Sequence, residues 1–366
     1  MIVRLAPDAD VAAFNARHGT KLIDAIASRN VFLLGLPPSE DEADAADTFG
    51  DERDVVWAEL NFANQAPEGR PRNFFVRGST VEGSTEQYAA DLLGLDTAQT
   101  CGRGVGIVVA VVDTGVDAQH AALSGVVLDN GRNLLEGSRD IADVGNGLDD
   151  DGDGTVDEMT GHGTHVAGIV AQVAPGASIL PIKALDSDGV GDAFFLAAAI
   201  YYAIDHGADV INLSLGSTHD ARVVTSAVAE ATRAGIVVTA AAGNENRQMP
   251  AEYPAAGGSA VGVASTNATD LKSRFSNYHP ALTISAPGSK IVSAFPGNDY
   301  VTWSGTSMAT PFVSGAAALL LGQGMSAVAA VDRLAATAVD LDATNPDYAG
   351  LLGMGRLDAA AAMGCR

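Results

Sequence analysis

From about residue 87 onward, apolar residues come in short unbroken runs rather than in alternation. The runs are "GIVVAVVD" (106–113), "SILPIKAL" (178–185), "ADVINLSL" (208–215), "GIVVTAAAG" (235–243), "SAVGVAST" (259–266) and "ALTISAP" (281–287). Each is short and rich in β-branched residues, which reads as a strand, and each is apolar on both faces, so both faces must be covered. Helical segments such as "FFLAAAIYYAIDHG" and "RVVTSAVAEATRAG" lie between them. The pattern predicts an α/β fold: a doubly wound, mostly parallel sheet with helices on both faces. Residues 1–63 follow a different rhythm, with strands "IVRLAP", "RNVFLLGLP" and "DVVWAELNF" separated by helices "DADVAAFNARHG" and "SEDEADAADTFG". That predicts a small βαββ-like α+β unit, too small to be comfortable alone. The stretch 64–86 is rich in Pro, Gly, Ser and charge, a linker composition, and 87–366 forms the large domain.

Composition narrows the function. The 366-residue chain is 47% hydrophobic and carries a net charge of −24. Phosphate backbones and anionic membranes require clustered positive charge, so neither nucleic acid nor membrane is an expected partner, whereas cations are. No run approaches the roughly 20 apolar residues of a membrane span. Met1 leads directly into a strand, without a basic-then-apolar leader, so the compartment is either the cytoplasm or, if a leader has been removed, the exterior. The two cysteines, Cys101 and Cys365, form no CxxC pair and do not read as a zinc site. They stand as one disulfide or as two separate thiols.

In doubly wound sheets chemistry gathers at the carboxyl ends of strands, and Asp113 closes the run 107–112 at such an end. "GHGTHVAG" (161–168) places His162 in the first turn of a helix. His165 lies three residues on, but HxxH lacks the glutamate of an HExxH zinc site. "SGTSMATPFVSG" (304–315) sets Ser307 at the start of a helix that is apolar all round and therefore buried, where backbone N–H groups suit a developing oxyanion. Asp, His and Ser are the three roles of nucleophilic acyl transfer.

The motifs "VVDTGVD", "HGTHVAG", "DVINLSLG", "AAAGNE" and "GTSMATPFVSG", in this order, resemble those of the subtilisin-like serine proteases, whose Asp, His, Ser chain order this sequence shares. The resemblance implies a serine endopeptidase with Asp113, His162 and Ser307 as its triad and Asn244 as side-chain donor of the oxyanion hole. It implies direct reach from His162 to both Ser307 Oγ and an Asp113 oxygen. Polypeptide substrates would lie as an added strand along Gly189–Val190–Gly191 and Ser214–Leu215–Gly216. Ala241, Ala242 and Gly243 would complete the S1 wall, with Gln248 and Glu245 near its floor and rim. The unit 1–63 is similar to the family's ferredoxin-like prodomains, which makes it an intramolecular inhibitor and chaperone, and the working protein is expected to be a monomer. A cis peptide is expected at Met249–Pro250.

"NGLDDDGDGTVDE" (146–158) fits the first nine positions of a D-x-D-x-D-G calcium loop. Asp149, Asp151 and Asp153 are followed by the Thr155 carbonyl and Asp157, but Thr160 replaces the closing glutamate. Ca2+ is the expected cofactor, and similar inserts precede the catalytic histidine in some related proteases. In that fold the entry to the first large-domain strand and the chain end approach each other, which favours a Cys101–Cys365 disulfide and an extracellular protein over a cytoplasmic one. Two rivals remain. An acid-active Ser-Glu-Asp protease would require glutamate at His162, and a catalytically silent calcium-binding scaffold would not need the four catalytic-type residues.

Overall fold

A computed structural model describes residues 1–69, 76–80, 83–84, 87–248 and 252–365. In the N-terminal unit the elements run β1 (Ile2–Leu5), α1 (Val11–His18), β2 (Lys21–Ile26), β3 (Val31–Gly35), α2 (Glu42–Gly50) and β4 (Val55–Glu59). Its sheet has the order β2-β3-β1-β4 with antiparallel pairing. The strand β2 was not expected. It is an edge strand whose first four residues are exposed, so it carries no apolar run to betray it. Val3, Leu5, Phe14, Leu34, Phe49 and Val55 form a small core under the helices. Ile2, Leu33 and Trp57 join the core of the large domain instead.

This seam is also polar. The Arg29 guanidinium pairs with Asp205 and Glu230, each at 2.9 Å. The Glu59 carboxylate, at the end of β4, accepts the backbone N–H groups of Arg222 and Val223. Those groups begin a helix whose own N-cap, Ala221, has no side-chain acceptor, so the small unit supplies a missing cap.

The chain continues through β5 (Ala63–Gln65), β6 (Val76–Ser79), α3 (Tyr88–Leu93), α4 (Leu95–Cys101), β7 (Val108–Asp113) and β8 (Arg132–Asn133). Then follow α5 (His162–Val173), β9 (Ser178–Lys183), β10 (Val190–Asp192), α6 (Ala193–Asp205), β11 (Val210–Leu213), α7 (Arg222–Arg233) and β12 (Val237–Ala241). The last elements are β13 (Val261–Thr266), β14 (Ile284–Pro287), β15 (Ile291–Phe295), β16 (Asp299–Trp303), α8 (Thr306–Gly322), α9 (Ala327–Ala336) and α10 (Ala359–Met363). Seven strands form the central sheet in the order β14-β13-β12-β11-β7-β9-β8, paired parallel throughout. The two-faced apolar runs are thus explained: α5 packs against α8, and α6 against α7, with helices on both faces of the sheet.

Cys101, at the end of α4, and Cys365, after α10, are joined by a disulfide with 6.0 Å between their α-carbons. The cis peptide among the described residues lies at Tyr253–Pro254. The expected position, Met249–Pro250, is outside them. No helix among the described residues is long and apolar enough to cross a membrane.

Candidate active site

Asp113 ends β7, His162 opens α5, and Ser307 is the second residue of α8. Asp113 Oδ1 accepts the Thr114 N–H at 2.8 Å and meets His162 Nδ1 at 2.7 Å. The approach requires Gly163, where a Cβ would strike the Gly115 carbonyl and lie 3.0 Å from Asp113 Cβ. A residue that sequence reasoning missed, Asp143, clamps the two elements together. Its buried carboxylate accepts Thr114 Oγ1 (3.0 Å), Gly161 N (2.9 Å), Thr164 N (2.9 Å) and Thr164 Oγ1 (2.6 Å). The strand end carrying Asp113 is thereby tied to the helix start carrying His162. Burial pushes the Asp143 carboxyl pKa up against these hydrogen bonds.

Ser307 owes its setting partly to Pro311. A proline inside α8 has no N–H to offer the Ser307 carbonyl four residues back, and Ser214 Oγ donates to that carbonyl instead at 2.9 Å. The Asn244 side chain is oriented by its own oxygen, which accepts Thr306 N and Thr306 Oγ1, each at 3.0 Å. Its Nδ2 is thus aimed into the site.

At the centre stands another residue that the sequence did not signal, Glu68, which is 3% exposed. Its Oε1 accepts Asn244 Nδ2 at 2.8 Å and the Ser307 N–H at 3.4 Å. Its Oε2 accepts the Ser307 hydroxyl at 2.6 Å and meets His162 Nε2 at 3.2 Å. The Ser307 hydroxyl also points to the Ser214 carbonyl at 3.1 Å. The expected direct Ser307–His162 bond is therefore replaced by a shared carboxylate oxygen. Burial opposes a charge on His162, yet the Asp113 and Glu68 carboxylates outweigh it and lift its pKa to about 10. His165 is driven the other way, to about 3, mainly by burial, and its Nε2 meets the Ile291 carbonyl at 3.2 Å. It is a neutral packed histidine.

Glu68 is delivered by β5, which lies in the groove expected for substrate. Gln65, Asn64 and Ala63 pair antiparallel with Val190, Gly191 and Asp192. Gln65 also exchanges both backbone hydrogen bonds with Gly216, at 3.0 and 3.1 Å, and Ala66 N donates to the Gly189 carbonyl at 2.9 Å. The chain then leaves the extended form in a 3-10 turn, Pro67–Gly69. Leu215 is buried beneath this groove, and Ala241, Ala242 and Gly243 are buried at the end of β12. Gln248 is exposed and does not form a floor. Glu245, half-buried, accepts Asn277 Nδ2 at 2.7 Å.

In the acidic loop, carboxylate oxygens of Asp149, Asp151 and Asp153 all lie within 4.8 Å of one another. The Asp157 carboxylate does not join them: it accepts the N–H groups of Asn146 (2.8 Å) and Gly147 (3.1 Å) at the start of the loop. Burial first, and then the charges of Asp188, Asp153 and Asp151, push the pKa of the neighbouring Glu158 up to about 7. Asp188 is fully buried with one carboxylate oxygen lacking a hydrogen-bond partner. Asp149, Asp151 and Asp153 are exposed, and carboxylates crowded in this way fit a hard divalent cation.

A doubly wound sheet carrying Asp, His and Ser at its strand and helix ends defines a serine endopeptidase. The sequence model of the subtilase family matches residues 104–355, and the chain belongs to that family. It is 42% identical to thermitase of Thermoactinomyces vulgaris over 254 residues, which cover 67% of this chain and 85% of that protein. It is 36% identical to subtilisin DY of Bacillus licheniformis over 272 residues, covering 70% and 93%. Among solved structures, fervidolysin of Fervidobacterium pennivorans, described as a keratinolytic enzyme related to subtilisin, aligns with a TM-score of 0.79 at 23% identity. That alignment covers all of this chain and 60% of the other.

Proposed function

We propose that the chain hydrolyses polypeptides through an acyl-enzyme formed on Ser307. Ser307 Oγ attacks the scissile carbonyl carbon as its proton passes to His162 Nε2. Asp113 holds the Nδ1–H and stabilises the imidazolium, and the oxyanion is met by Asn244 Nδ2–H and the Ser307 N–H. Collapse expels the amine, which takes the proton from His162, and water then releases the acyl group by the same steps reversed. The observation that carries this reading is the convergence of Ser307, His162 and Asn244 on one carboxylate. A carboxylate there resembles the charge distribution of the tetrahedral intermediate.

Residues 1–63 act as a prodomain joined by the segment 64–86 to a catalytic domain spanning 87–366, and its tail inhibits by occupying the substrate groove. The added strand Ala63–Gln65 and the Glu68 carboxylate support this. Asp149, Asp151 and Asp153 would hold Ca2+ and brace the approach to α5. The disulfide supports a secreted protein, since such bonds persist in oxidising compartments, and the enzyme works as a monomer. The test is fluorophosphonate labelling together with casein hydrolysis by the full chain after activation. Both are expected in the wild type and lost in Ser307→Ala. A folded wild type that neither labels nor hydrolyses would instead favour the silent calcium-binding scaffold.

A further inference from the structure

The tail of the small unit is bonded to the large domain residue by residue, and it fixes the register that an extended peptide would take. The Phe62 carbonyl accepts the N–H of Ala193 at 2.8 Å. Ala63, Asn64 and Gln65 pair with Asp192, Gly191 and Val190, and Ala66 N donates to the Gly189 carbonyl. Because Gln65 stands opposite Gly216 in antiparallel sense, the residue two positions on falls opposite Ser214, whose carbonyl accepts the Ser307 hydroxyl at 3.1 Å. In a substrate that residue carries the attacked carbonyl. Phe62 precedes it by five residues and so occupies the P6 position, at the far end of the paired stretch.

At that end the Phe62 ring lies along the His219 imidazole, with ring centroids 4.5 Å apart and planes inclined by 9°. Phe62 is half-buried, whereas His219 is exposed. The imidazole is nevertheless held in place through its backbone. His219 N donates to Ser217 Oγ at 3.2 Å, and the His219 carbonyl accepts Ala221 N at 3.1 Å. Ser217 in turn pairs with Tyr253 through two backbone hydrogen bonds, at 2.8 and 3.0 Å. His219 therefore belongs to the same braced segment that binds the peptide backbone at Gly216. Its Nδ1 meets Thr218 Oγ1 at 3.5 Å, so the ring is engaged at its edge and offers its face. When the tail leaves the groove, that face is uncovered.

We infer that His219 is the specificity-determining residue of an outlying subsite, S6, that takes an aromatic side chain of the substrate. Nearly parallel rings at this separation are in the stacked arrangement that aromatic pairs favour, and such a pair is worth more than the apolar area it buries. An aliphatic side chain at the same place gains the area alone. The backbone pairing along 189–193 and Gly216 brings the sixth residue of any extended peptide to the same place. This rests on the peptidase reading and on the tail as occupant of the substrate groove, and it goes beyond them in naming a side chain selected far from the cleaved bond.

The experiment uses the full chain after activation and a series of peptidyl-aminomethylcoumarins, identical from P1 to P5 and carrying Phe, Tyr, Leu or Ala at P6, read as initial rates of coumarin release. Wild type is expected to favour Phe and Tyr over Leu by about 2- to 10-fold in kcat/KM, the worth of one aromatic pair. Moving the Phe to P7 should abolish the preference. His219→Ala should bring Phe and Leu level, and His219→Tyr, which restores a ring, should restore the preference. Because each ratio is taken within one preparation, partial misfolding does not alter it. Equal rates for Phe and Leu in wild type, a preference found at P7 instead, an unchanged ratio in His219→Ala, or no recovery in His219→Tyr overturns the inference and leaves the peptidase reading standing. Absence of turnover on every peptide together with absence of fluorophosphonate labelling would instead defeat that reading.

Discussion

Removing the Glu68 side chain tests the reading of the prodomain tail as an inhibitor. Glu68 makes two strong charge-assisted contacts, from Ser307 Oγ at 2.6 Å and Asn244 Nδ2 at 2.8 Å, and a longer one from Ser307 N at 3.4 Å. At about 1.5–3 kcal/mol for each of the two strong ones, the gross gain is about 3–6 kcal/mol. Part of it is returned as the cost of burying the carboxylate, leaving a net hold of about 2–3 kcal/mol. That corresponds to about 30- to 150-fold in the open fraction. In Glu68→Ala the backbone strand Ala63–Gln65 remains to hold the tail, so the groove stays filled while the serine is uncovered. The assay is the rate of fluorophosphonate labelling of the unprocessed band, followed on gels, with Ser307→Ala as blank. Glu68→Ala should label about 30- to 150-fold faster than wild type. His162 adds a pH signature. Its pKa in the folded chain is raised, so its pairing with Glu68 is fully present below the unfolded value of 6.5 and lost as pH rises through about 10. Wild-type labelling should therefore accelerate toward pH 10, and this step should move to lower pH in Glu68→Ala, where one of the two carboxylates is gone. Equal labelling rates at pH 7 would refute the reasoning.

Two further changes address the site and its support. Asn244→Ala should lower kcat by about 10²–10³ with KM little altered, because the lost hydrogen bond belongs to the transition state; progress curves on one substrate decide it. Chelation should lower the melting temperature and speed self-digestion, by about 2.7 kcal/mol if calcium had filled its site at 100 times Kd. Identical melting curves with calcium and with chelator would remove the metal from the account, and Asp151→Asn should reproduce the chelator's effect.

Much of the large domain is legible in the sequence because strands buried on both faces must be continuous apolar runs, and each of the six runs quoted contains a strand of the central sheet. The edge strands are the exceptions. β2 faces water along most of its length, and β8 has only two residues, so neither leaves a hydrophobic signature. Asp113, His162, Ser307 and Asn244 are legible for a different reason. Each sits at the end of an element, where local chemistry, glycine flanks and chain order all leave marks.

Glu68 and Asp143 leave none, and both are carboxylates in a chain with 45 acidic residues. What makes them functional is burial among donors from distant segments, and no local pattern encodes that. The acidic loop 146–158 shows the same limit from the opposite side. Spacing nominates Asp157, but its position in the turn spends the carboxylate on the N–H groups of Asn146 and Gly147. For Glu68 the consequence reaches the mechanism. In the proposed mechanism the donors that stabilise the oxyanion, Asn244 Nδ2 and the Ser307 N–H, are the donors that hold Glu68, so catalysis and the proposed self-inhibition would draw on the same preorganised dipoles. A stronger oxyanion hole makes a faster enzyme and a tighter lock. Asn244→Ala must therefore weaken both, slowing the chemistry of the processed enzyme while loosening the tail of the unprocessed one.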